Sequence, residues 1–155
     1  MTRFALILAA LTAFALPAWA EMQPRDGWWV QKTDKPYAQL IDDVKAAVKA
    51  NKFGVVTQAG PTGAAKNRGI TIPGNRVIGV FNNVYAVRVL EMSTAAMIEA
   101  PIRMYVTENA DGMATLSYKT PSTVFAPYMG EADGLAEVAA ELDAVFEQIA
   151  QSAAK

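Results

Sequence analysis

Apolar residues recur along this chain in blocks whose period changes, and each block predicts an element. Gly27 to Thr33 is rich in aromatic and β-branched residues and predicts a first strand. From Tyr37 the period lengthens: Tyr37, Leu40, Ile41, Val44 and Val48 share one helical stripe. Thr33 or Asp34 is the expected N-cap of that helix, with Pro36 in its first turn, and Asn51 is expected in the left-handed position that ends it. Phe53–Ala59 predicts a second strand. Residues 60–75, GPTGAAKNRGITIPGN, break the pattern with four glycines and two prolines, which predicts a loop holding a helical turn around Gly63–Arg68. A third strand follows over Arg76–Phe81.

The stretch GVFNNVYAVRVLE, Gly79–Glu91, supports two periods. Alternation aligns Tyr85, Val87 and Val89; helical spacing aligns Ala86, Val89 and Leu90. The asparagines favour the helix, because an Asn side-chain oxygen accepts an orphan backbone N–H at a helix start. The expectation is strand, cap, then helix over about Asn83–Met92. Arg88 and Glu91 are then expected to pair on its exposed face, worth a few tenths of a kcal/mol.

Ile102–Glu108 alternates apolar with polar residues, Asn109-Ala110-Asp111-Gly112 is a turn, and Ala114, Leu116 and Tyr118 mark a returning strand that Pro121 ends. Asp133 is the expected cap of a last helix. Leu135, Val138, Leu142, Val145, Phe146 and Ile149 lie on one side of it, and Glu137, Glu141, Asp143 and Glu147 on the other. The order β-α-β-(short helical turn)-β-α-β-β-α predicts an α+β fold, a single sheet with helices packed on one face. No repeat and no second domain is visible.

The opening residues, MTRFALILAALTAFALPAWA, join Arg3 to an apolar run over Phe4–Ala15 and a small-x-small site at Ala18-Trp19-Ala20. That is the pattern of a cleavable leader over residues 1–20, which implies export to the periplasm and one domain over residues 21–155. A membrane anchor needs ~20 apolar residues. Loss of Arg3 with the leader leaves 13 Lys and Arg against 15 Asp and Glu, a net charge of −2. So slight an acidity favours neither nucleic acid nor an anionic membrane as partner.

The chain has no Cys and no His. Without thiols it has no thiol nucleophile, disulfide or lipid-anchored cysteine. Without imidazole it has no Ser-His pair and no usual zinc or copper site. Most small-enzyme chemistries are removed by those two absences.

Gly79-Val80-Phe81-Asn82-Asn83, Ala86, Leu90, Ala100-Pro101-Ile102-Arg103-Met104-Tyr105-Val106, Ala110-Asp111-Gly112 and Tyr118-Lys119-Thr120-Pro121 form ordered blocks. In them the chain resembles the domain-of-unknown-function 302 family, from Gly27 to the final helix. The resemblance implies a compact α+β fold, often a homodimer, with no established activity. Many members have Pro where Asn83 stands and some have Cys where Ile102 stands, so thiol chemistry does not carry over.

Other features weigh less. Gly60-Pro61-Thr62-Gly63-Ala64-Ala65-Lys66 lacks phosphate-loop spacing, since Lys66 does not follow the second Gly. Glu99, Glu108 and Asp111 surround the hairpin with Arg103 and Tyr105, and a buried carboxylate pair there would do acid–base work. Trp28 and Trp29 face opposite sides of a strand, so one enters the core and the other is free for a ligand or an interface. The mature methionines are dispersed, as suits gap-filling. Phe125-Ala126-Pro127-Tyr128-Met129 is an apolar loop that covers the core or closes a pocket.

The resulting expectation is an exported α+β protein of unknown function. It is expected to act as a homodimeric binding or accessory module for a small polar or anionic ligand, with no cofactor. Expected ligand contacts are Asn82, Asn83, Arg88, Glu99, Arg103 and Tyr118; no catalytic or metal-binding residue is assigned. The alternatives are a metal-independent enzyme using carboxylate, Tyr and Arg groups, and a purely structural or interaction protein.

Overall fold

The computed structural model describes residues 21–155, so the expected leader lies outside the described residues. The strands are β1 (Trp28–Pro36), β2 (Gly54–Ala59), β3 (Asn75–Phe81), β4 (Ile102–Glu108) and β5 (Met113–Lys119). The helices are α1 (Tyr37–Ala50), α2 (Thr62–Asn67), α3 (Asn83–Met92), α4 (Pro121–Phe125) and α5 (Leu135–Ala154), with single 3-10 turns at Ala96–Glu99 and Ala126–Tyr128. All five strands join one antiparallel sheet in the order β1-β5-β4-β3-β2. The α+β expectation holds; the structure adds the short helix α4 between the hairpin and the last helix.

The two-residue period of the strands decides what is buried. Ile78, Val80, Met104, Val106, Leu116 and Tyr118 point to one side and are each at most 2% exposed. They form one core with Leu40, Val44 and Val48 of α1 and Leu135, Val138, Phe146 and Ile149 of α5. Trp29 stacks on Tyr118 at 5.6 Å between ring centroids, and Tyr118 meets Phe146 at 5.7 Å. The intervening residues Trp28, Val77, Arg103, Tyr105, Ser117 and Lys119 belong to the opposite face.

The Asn82 cap stands as expected: its Oδ1 accepts from Val84 N at 2.9 Å and from Tyr85 N at 3.3 Å. Other local expectations are corrected. Thr33 and Asp34 are not caps, because β1 continues to Pro36; the Thr33 hydroxyl donates to the Ala114 carbonyl at 2.8 Å instead. A β-branched residue beside an available strand partner is worth more in the sheet than at a helix start. Asn51 has φ −88°, and Lys52, at φ 63°, takes the left-handed position. The Asn51 amide is occupied with the Ala47 carbonyl at 2.9 Å, one turn back. Gly134, at φ 82°, precedes α5 in place of Asp133, since only glycine enters that conformation without a Cβ penalty.

Candidate functional site

Strand register assembles the open face into cross-strand rows. Trp28 pairs with Lys119 and Gly79 with Arg103. The Met104–Tyr118 pairing places Arg103 and Lys119 side by side on β4 and β5. In the next row Val30, Ser117, Tyr105, Val77 and Ala59 follow one another across the sheet. A cavity of about 520 Å³ lies over these rows, with Val77 and Tyr105 beside Arg103, Lys119 and Trp28. Ala59, Gly60, Pro61, Ile102 and Val124 add apolar wall, and Glu99 is the sole carboxylate among its lining residues.

Two cations share this cavity without pairing to an acid. Among the described residues, neither Arg103 nor Lys119 has a carboxylate within 4.0 Å. Like charges on neighbouring strands repel, which costs stability. The Lys119 ammonium lies 5.8 Å from the Trp28 ring centroid and the Arg25 guanidinium 5.2 Å from it. The Lys119 contact offsets part of the repulsion, on the order of 0.5–1 kcal/mol at an exposed site. Across from Arg103 on β3, Gly79 leaves room for Thr57 and Pro101: a Cβ there would run into Thr57 Oγ1 and stand 2.9 Å from Pro101 Cγ.

Glu99 ends the Ala96–Glu99 turn, and its Oε1 accepts from the Tyr128 hydroxyl at 2.9 Å. That bond to a carboxylate holds the Tyr128 phenol above its ordinary pKa. The expected apolar loop 125–129 is instead the end of α4 and a 3-10 turn; Phe125 anchors it in the core and Tyr128 reaches Glu99. Tyr105 also has its pKa raised, chiefly because half-burial penalises the phenolate.

The six residues singled out in the sequence divide between two places. Glu99, Arg103 and Tyr118 line the one cavity, although the Tyr118 ring belongs to the core side. Asn82, Asn83 and Arg88 lie at α3, away from it. Asn82 is occupied structurally: besides capping α3, its Nδ2 donates to the Lys52 carbonyl at 3.0 Å. The crevice beside it, about 30 Å³ between Phe53, Tyr85 and Phe146, is a seam in the core with room for little more than water. Asn83 is exposed.

Arg88 does not pair with Glu91. It grips Glu141 of α5 with both terminal nitrogens, at 2.6 and 2.8 Å, over the Tyr85 ring. A bidentate carboxylate on a packed neighbouring helix outcompetes a one-turn surface pair.

The hairpin carboxylates are likewise dispersed. Glu108 accepts the Gly74 N–H at 2.6 Å, and Asp111 pairs with Lys32 at 2.9 Å. Lys119 and Tyr105 were not among the expected contacts. Their shared parity with Arg103 follows from the hairpin register, and the hairpin is local. The arrival of Trp28 beside Lys119 depends on β1 pairing with β5 across most of the chain, which no local pattern announces.

Comparison with known proteins adds the family and the fold. No curated protein matches the chain. The crystal structure of an uncharacterized conserved DUF302 protein from Bacillus stearothermophilus is similar to it, with a TM-score of 0.73 at 18% sequence identity, over 83% of this chain and 98% of that one. At that identity the likeness is one of fold. Residues 29–153 match the family described as "Domain of unknown function DUF302", nearly the whole described chain. The protein is therefore a member of the DUF302 family.

Proposed function

We propose that this chain is an exported, periplasmic binding or accessory module, acting as a homodimer, that holds a small organic anion in the open-face cavity. The observation that carries the reading is the adjacent pair Arg103 and Lys119, neither ion-paired among the described residues, in a cavity whose other lining residues are apolar or aromatic save Glu99 and Asn75. An anion seated between them relieves their repulsion and gains charge-assisted hydrogen bonds. A volume of about 520 Å³ falls within the range of small-ligand sites, roughly 300–1,000 Å³. The apolar walls favour a ligand with a hydrophobic body, and the rigid sheet pre-organises the contacts.

Catalysis is less well supported, because Glu108 and Asp111 are held elsewhere and leave Glu99 with no second carboxylate for acid–base work. The homodimer is supported by exposed apolar side chains on one region, Val84, Val87 and Leu90 of α3 with nearby Ile98, which is 78% exposed.

The test is to express the whole precursor in a Gram-negative host, recover the protein from the periplasm and record its native mass spectrum. A dimer of chains beginning near Glu21 with a reproducible added mass is expected, and Arg103→Ala should lose that mass while staying folded. A bare monomer, or an added mass indifferent to Arg103→Ala, contradicts the reading.

A further inference from the structure

An acid and two bases line the same cavity without meeting. Glu99, Arg103 and Lys119 all face it, yet no ion pair joins Glu99 to either cation. Opposite charges that line one cavity attract one another. Here the Glu99 carboxylate is held back by the Tyr128 hydroxyl on Oε1, and its Oε2 has no hydrogen-bond partner among the described residues. Lys119 is turned toward the Trp28 ring. In the row next to Arg103 and Lys119 lies the apolar floor of Val77 and Tyr105. A simple anion satisfies the cations and is repelled by Glu99. A ligand with a cationic group as well satisfies all three.

Resting on the binding reading above, we infer that the cavity takes a zwitterion with an apolar body, of which an aromatic amino acid is the simplest. Its carboxylate lies between Arg103 and Lys119, its ammonium donates to Glu99, and its ring lies over Val77 and Tyr105. Tyr128 acts here as a positioning residue, holding the Glu99 carboxylate at the rim.

The experiment is isothermal titration of the mature protein with three probes of one shape: phenylalanine, 3-phenylpropionate, which lacks the ammonium, and phenethylamine, which lacks the carboxylate. Phenylalanine is expected to bind at least about ten-fold tighter than either, the effect of one charge-assisted hydrogen bond. In Glu99→Gln the advantage over 3-phenylpropionate should vanish while 3-phenylpropionate itself binds no worse. In Arg103→Gln the advantage over phenethylamine should shrink, and Tyr128→Phe should weaken phenylalanine alone. If 3-phenylpropionate binds through Arg103 as tightly as phenylalanine, the zwitterion is overturned and the anion site stands. If none of the three binds, both readings fall.

Discussion

Replacing Asn82 by Ala removes three hydrogen bonds at once. Two run from Val84 N and Tyr85 N to its Oδ1, at 2.9 and 3.3 Å, and one from its Nδ2 to the Lys52 carbonyl at 3.0 Å. The cap is worth about 1 kcal/mol. The bond to Lys52 adds about 0.5 kcal/mol, near the low end for an intramolecular bond because the groups are partly wet. That bond also steadies the turn in which Lys52 holds a left-handed conformation, at φ 63°.

The expected loss is about 1.5 kcal/mol. An unfolding entropy of about 2.1 cal/mol/K per residue over residues 21–155 converts this to roughly 5 °C in Tm. Asn82→Asp keeps the acceptor, places its charge at a helix N-terminus and loses only the donor to Lys52, so it should cost about 0.5 kcal/mol. Urea unfolding of the mature protein, followed by far-UV circular dichroism, measures both, and the slope with denaturant should be unchanged. An Ala variant within about 0.3 kcal/mol of the parent, or an Asp variant as damaged as the Ala variant, would refute the assignment of Asn82 as a cap that also ties two turns together.

Three further outcomes follow from the same packing. The Arg88 guanidinium holds the Glu141 carboxyl below the usual carboxylate range, so this pair stabilises the fold above the unfolded pKa and stops doing so as pH falls through the folded one. Glu141→Gln should flatten the acid limb of stability against pH, measured as urea midpoints between about pH 7 and 3; an unchanged slope contradicts this. Burial, chiefly, pushes the Tyr118 phenol above its ordinary value, with Glu147 and Asp143 adding to it. The contribution is intact below the unfolded pKa and is lost as pH rises through the folded one, so Tyr118→Phe should extend stability on the alkaline side, seen as a higher unfolding midpoint in base. Gly79→Ala brings a Cβ against Thr57 Oγ1 and Pro101 and should destabilise by about 1–3 kcal/mol, checked by the same urea titration.

How much of this was legible depended on the range of the interactions. The α5 stripe, the hairpin around Asp111-Gly112 and the Asn82 cap are local patterns, and all three appear where the sequence places them. Helix boundaries were less legible wherever a distant partner competed. Thr33 went to the sheet because Ala114 was there to receive its hydroxyl, and Arg88 went to Glu141 because α5 packs beside α3. The candidate site shows the same division. Arg103 and Glu99 lie close in sequence and line one cavity, while Trp28 reaches it only because the first strand pairs with the last. The asparagines that draw the eye in the sequence are consumed by capping and by exposure to solvent.

The most direct test of the central claim is a 1H–15N correlation spectrum of the mature protein titrated with phenylalanine. The account predicts saturable shifts at the backbone amides of Val77, Arg103, Tyr105 and Lys119 and at the Trp28 indole N–H, with Asn82 and Arg88 unmoved. Shifts confined to α3, or none at millimolar ligand, would contradict it.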